Sequence, residues 1–102
     1  MDKDIKEFIS QYPPMKEALD NGKDAYATYA SLIFNKDYKD CLEFDMDTHE
    51  PKPCGQERRR FAKTFVLIAF LIHKGYPIEY ALQYAENLTY RYFEGDRDES
   101  NS

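Results

Sequence analysis

The sequence predicts an all-α fold, a compact bundle of four or five helices, on three observations. Apolar residues recur at spacings of three and four through most of the chain. No stretch alternates apolar and polar residues for long enough to make a useful strand. The Pro and Gly residues, five and four among 102, fall between the periodic segments rather than inside them. A chain of 12.1 kDa with 42% apolar and 32% charged residues is large enough for one core and too small for two. One helical domain over residues 1–95 is therefore expected, followed by a disordered acidic tail at 96–102.

The elements follow in order. Ile5, Phe8, Ile9 and Tyr12 lie at i, i+3, i+4 and i+7, the apolar face of a short helix begun by Asp2 or Asp4 and stopped by Pro13-Pro14. Pro14 can open a second helix with Met15, Ala18 and Leu19 inward and Asn21-Gly22 as its left-handed end. From Lys23 or Asp24 a third helix carries Ala25 to Phe34. Beyond Asn35, Tyr38, Cys41, Leu42 and Phe44 resume helical spacing, which predicts either one kinked helix or two joined at Asn35. Residues 45–55, with Pro51, Pro53 and Gly55 among alternating acids, form an eleven-residue loop, long for a bundle connection and of a length that is often functional.

The central helix is predicted over about 56–74. From Phe61 to Ile72 it has almost no polar side, and a helix apolar all round must be surrounded. His73 and Lys74 suit its negative end, and Gly75 caps it. Pro77 opens a last helix to Phe93, so the C-terminus reads as an αα-hairpin with Ile78, Ala81, Leu82, Ala85, Leu88 and Tyr92 inward. The short N-terminal helices offer the central one little cover, and a homodimer would complete it.

Charge is sorted along the chain. The net charge of −5 divides into −6 over residues 1–50, +4 over 51–93 and −3 over 94–102. That balance disfavours general binding to phosphate backbones and favours a basic partner. The longest apolar run, residues 65–72, is too short to span a bilayer, and the charged N-terminus has no secretory or transit character. A cytoplasmic protein with reduced Cys41 and Cys54 and no membrane association is expected.

Three clusters stand out. Asp40, Glu43, Asp45, Asp47 and Glu50 make an acidic patch with no Lys or Arg among them. It reads either as a solvated loop or as a surface that docks on a basic groove. Asp45-x-Asp47-x-His49 is not a calcium loop, because Glu50 stands where glycine is needed and Gln56 where the bidentate glutamate is needed. Arg58, Arg59 and Arg60, with Lys63 a turn on, place cations in the first turn of the predicted helix, against its dipole. They call for acidic partners within the chain or for an anionic ligand. Tyr76, Tyr80 and Tyr84 lie at i, i+4 and i+8 on the flank of the last helix, as half-buried packing or as an aromatic interface.

Catalytic signatures are absent: there is no Gly-rich phosphate loop, no G-x-S-x-G and no H-E-x-x-H. Cys41, His49, Cys54 and His73 lack the paired spacing of a zinc site. No enzyme activity, metal or cofactor is expected. The expected function is binding to another macromolecule, as an inhibitor or regulator of the type carried by phages and mobile elements, with the acidic patch docked on a basic nucleic-acid-binding host protein. The alternative is a DNA- or RNA-binding regulator that uses the Arg58–Arg60 cluster, as a monomer or a dimer.

Overall fold

The computed structural model describes residues 3–87. Over these residues the chain is all-α, and it divides between Lys63 and Thr64 into two compact units. The predicted Leu88 and Tyr92 packing, the helix end at Gly95 and the acidic tail lie outside the described residues.

The first unit begins with helices α1 (Lys3–Ile9), α2 (Pro13–Asp20) and α3 (Ala25–Phe34). Both prolines sit in the first turn of α2, where a missing N–H is no loss. Asp24 caps α3, its carboxylate accepting from the Tyr26 and Ala27 amides at 3.0 and 3.2 Å. Asn35 ends that helix in the left-handed conformation (φ 52°), and the amides of Asn35 and Lys36 both bond the Ser31 carbonyl. The core rests on small side chains: Ala27, Ala30, Cys41 and Ala62 are fully buried, with Tyr29, Tyr38 and Leu42 packed around them. Residues of this size let backbones approach closely, and the bulky rings close the periphery.

Two expectations change here. Helical spacing does not resume beyond Asn35: residues Tyr38–Cys41 make one 3-10 turn, Leu42 is extended, and Phe44 forms an isolated antiparallel bridge with Pro51. The left-handed residue at Asn35 turns the chain away, and the Tyr38 hydroxyl, accepting from the Asp24 amide at 2.9 Å, fixes the new direction. The connecting loop also ends earlier than predicted, because helix α4 spans Pro53–His73. Pro53 takes its first position, and Gly55 is buried so tightly on the Leu42 backbone that any Cβ would collide with the Leu42 carbonyl.

The second unit contains the end of α4 and a helix, α5, over residues 78–87. Gly75 (φ 95°) turns the chain between them, with the Gly75 and Tyr76 amides returning to the Ile72 and Leu71 carbonyls. The predicted helical hairpin is present, but the inward stripe is narrower than expected. Ala81 and Ala85 are buried, whereas Ile78 and Leu82 are 56% and 51% exposed. Nor is α4 enclosed on every side. Ala62, Val66 and Leu67 are buried, Ile68 is half-buried, and Phe61, Phe65 and Ile72 are each about half exposed. Apolar sequence on all faces of this helix is therefore not matched by burial on all faces.

Candidate functional site

Residues 42–52 join the 3-10 turn to α4, and their shape is set by backbone and carboxylate hydrogen bonds. The Asp45 amide donates to the Glu50 carbonyl at 2.8 Å, and the His49 amide to the Asp45 carbonyl at 2.9 Å. The Asp45 carboxylate accepts from the Asp47 and Thr48 amides at 2.8 and 2.9 Å. Those bonds, to Thr48 first and Asp47 second, hold its pKa below the usual aspartate range. His49 takes a left-handed conformation (φ 62°), and the Glu50 amide reaches the Thr48 hydroxyl. At the base, the Glu43 carbonyl accepts from the Lys52 amide and the Gln56 side chain.

This arrangement holds two large apolar side chains outward. Met46 is 65% exposed and Phe44 52% exposed, with exposed Asp47 and Glu50 nearby in the loop. Burying a side chain of this kind is worth about 1.5–3 kcal/mol, which the loop forgoes at each position. Periodicity does not single out Met46, and it places Phe44 on a helix that does not form. The available signal was Met46 itself, an apolar residue flanked by two aspartates in a segment too polar to join the core.

The predicted acidic patch is not a uniform surface. Asp40 lies 3.7 Å from the Lys52 ammonium, and Glu43 3.1 Å from Arg59. Asp45 is spent on the turn just described, which leaves Asp47 and Glu50 as the outward carboxylates of the five.

The basic cluster accounts for much of this inward pairing. Because α4 begins at Pro53, Arg58–Arg60 lie beyond its first turn, so the predicted conflict with the helix dipole does not arise. Arg59 bridges two elements: its Nε donates to Asp24 at 2.6 Å while Nη1 contacts Glu43. Its guanidinium also lies 5.3 Å from the centre of the Tyr26 ring, with the Lys63 ammonium at 5.9 Å. Burial pushes the Tyr26 phenol up, with the Arg59 charge acting against it. Arg58 donates to the Asp40 carbonyl at 2.8 Å, capping the end of the 3-10 turn, and Arg60 is partly buried. Asp24 serves at once as helix cap and arginine partner, and it is the second of these roles that spacing rules did not single out.

The tyrosine row belongs to the second unit. Tyr76 and Tyr80 stack at 4.9 Å with an interplanar angle of 17°, and all three rings, Tyr84 included, are exposed. Both cysteines are free thiols. Cys41 is buried and its pKa is pushed up by burial, whereas Cys54, in the first turn of α4, is exposed. Among the described residues no three His, Cys, Asp or Glu side chains are grouped to hold a metal ion, and no helix is long and apolar enough to cross a membrane. No family model matches the chain, and no curated protein or solved structure is similar to it.

Proposed function

We propose that this chain binds another protein, as an inhibitor or regulator of the type carried by phages and mobile elements, through the loop at residues 43–51. The observation that carries the reading is the exposure of Met46 and Phe44 on a loop whose backbone is already tied in place. A loop ordered before binding loses little entropy on docking, and an apolar anchor beside carboxylates fits an apolar recess rimmed by Lys and Arg. A basic nucleic-acid-binding protein is the partner class that such a rim describes. Asp47 and Glu50 supply the electrostatic part of the contact, and Tyr76, Tyr80 and Tyr84 offer a second, aromatic surface.

The nucleic-acid-binding alternative is weaker. Arg59 is engaged by Asp24 and Glu43, and Arg58 by the Asp40 carbonyl. These cations hold the chain's own loop and turn together, which leaves less charge to displace counterions from a phosphate backbone.

Affinity capture from host lysate tests the proposal, with wild type compared with Met46→Lys and with the pair Asp47→Lys, Glu50→Lys. A partner should be retained by wild type, lost by Met46→Lys, weakened by charge reversal and released progressively as salt rises. Equal retention by all three proteins, insensitive to salt, refutes the loop as the docking element. A mobility shift of DNA or RNA at low salt would favour the arginine reading instead.

A further inference from the structure

A cavity of about 260 Å³ opens in the first unit between α2 and α3, remote in sequence from the loop at residues 43–51. Its apolar wall includes Pro14, Ala18 and Leu32. Its polar lining residues are of opposite character: Glu17 lies in the last turn of α2, Asn21 caps that helix, and Lys23 follows in the turn, all three exposed. Tyr38 closes one side. We propose that this cavity binds a free α-amino acid with an apolar side chain.

The case rests on which groups are already committed. The Tyr38 hydroxyl oxygen accepts from the Asp24 amide at 2.9 Å, so its own proton remains available to donate. Lys23 is held over the Tyr38 ring, its nitrogen 5.4 Å from the centroid, which sets the ammonium beside that hydroxyl's aromatic ring. The Thr28 and Ser31 hydroxyls on the α3 wall already donate, to the Asp24 and Lys36 carbonyls. Glu17 and Lys23 line the same cavity and form no ion pair with each other, whereas Lys16 and Asp20 on the same helix close to 2.9 Å. The cavity therefore presents one anion and one cation to the same small volume.

A simple anion would be attracted by Lys23 and repelled by Glu17, and a simple cation the reverse. A zwitterion satisfies both. Its carboxylate meets the Lys23 ammonium and the Tyr38 hydroxyl proton, its ammonium meets Glu17 and the Asn21 carbonyl oxygen, and its side chain covers Leu32 and Pro14. The volume lies just under the range of roughly 300–1,000 Å³ usual for small-molecule sites, which sets the ligand at single-residue size.

Nitrogen–proton NMR titration of the full chain with leucine, leucinamide and N-acetylleucine tests this. Leucine should shift the amides of Ala18, Asn21, Lys23, Thr28 and Tyr38. Leucinamide lacks the carboxylate and N-acetylleucine the ammonium, so each should bind at least roughly tenfold more weakly, the loss expected for one charge-assisted hydrogen bond. Glu17→Gln and Lys23→Gln alter exposed side chains and should each weaken leucine binding by a similar factor while leaving the helical circular dichroism and melting unchanged. Absence of shifts up to the solubility limit of leucine overturns the proposal, as does either blocked derivative binding as tightly as leucine. Because Met46 and Phe44 lie outside the cavity, Met46→Lys should leave the leucine titration intact.

Discussion

The two halves of α4 make an instructive pair. Residues 53–63 are the more polar half, with three arginines, a glutamate and a lysine, and yet they are tied to other elements: Gly55 and Ala62 are buried, Arg59 ties Asp24 to Glu43, and Arg58 caps the 3-10 turn, although Phe61 is about half exposed. Residues 64–73 are nearly all apolar, and Phe65, Ala69 and Ile72 stand exposed along them. Hydropathy counts how much surface would gain from leaving water, but it does not say whether a neighbour of the right shape is there to cover it. In the first half, guanidinium groups reach across to carboxylates and carbonyls on other elements, and small residues let those elements come close. In the second half, burial is confined to Val66 and Leu67 on one side of the helix.

Inserting a charge into each half sharpens this contrast most. Ala62→Asp places a carboxylate in a fully buried position among Ala27, Ala30 and Cys41, and should cost about 3–5 kcal/mol, enough to abolish cooperative melting. Ile68→Asp, in the half that reads as the hydrophobic centre, falls on a half-buried residue and should keep a cooperative melt where Ala62→Asp loses it. Should the order be reversed, the second half is the true core and the comparison fails.

A smaller effect is expected at the join between the loop and α4. Gly55→Ala drives a methyl group into the Leu42 carbonyl and should destabilise by about 1–3 kcal/mol, read as a lower denaturation midpoint. Gly75 has open space around it, and an alanine there meets only the cost of its positive φ. Equal midpoints for the two variants would mean that the loop base is looser than its contacts imply.

The smallest effect is a pH dependence confined to the loop. The Asp45 pKa is lowered in the folded chain, so its contribution is fully present above the ordinary aspartate range and is lost as pH falls through the lowered value. Amide exchange at Asp47 and Thr48 should therefore accelerate in that acid window, after correction for the intrinsic pH dependence of exchange, while α3 amides stay protected. Asp45→Asn retains an acceptor and should remove the dependence. A loop whose exchange is insensitive to acid would show that the Asp45 carboxylate does not hold it.

Much of the first unit was legible in the chain. Pro13-Pro14, Asp24 and Asn35 mark the helix boundaries because each has a local reason to do so: a fixed φ, a capping carboxylate and tolerance of the left-handed conformation. The candidate site was legible in part. The length and acidity of the loop drew attention to residues 45–55, and the arginine cluster called for acidic partners, of which Arg59 finds two, although the conflict with the helix dipole does not arise. The destination of Arg59, Asp24 at 35 positions' separation and Glu43 at 16, is a long-range pairing that no local spacing encodes. Phe44 was misread as helical because its spacing from Cys41 is helical, and only the bridge to Pro51 decides otherwise.

By itself the sequence determined the helical class, the boundaries of α2 and α3, the αα-hairpin turn at Gly75 and the segregation of acids from bases along the chain, all properties fixed within a few neighbouring residues. Tertiary structure alone decided which apolar residues are covered, which carboxylates remain outward and where Met46 stands. Those outcomes depend on the close approach of segments distant in the chain, where the size of an alanine or the reach of an arginine matters more than hydropathy.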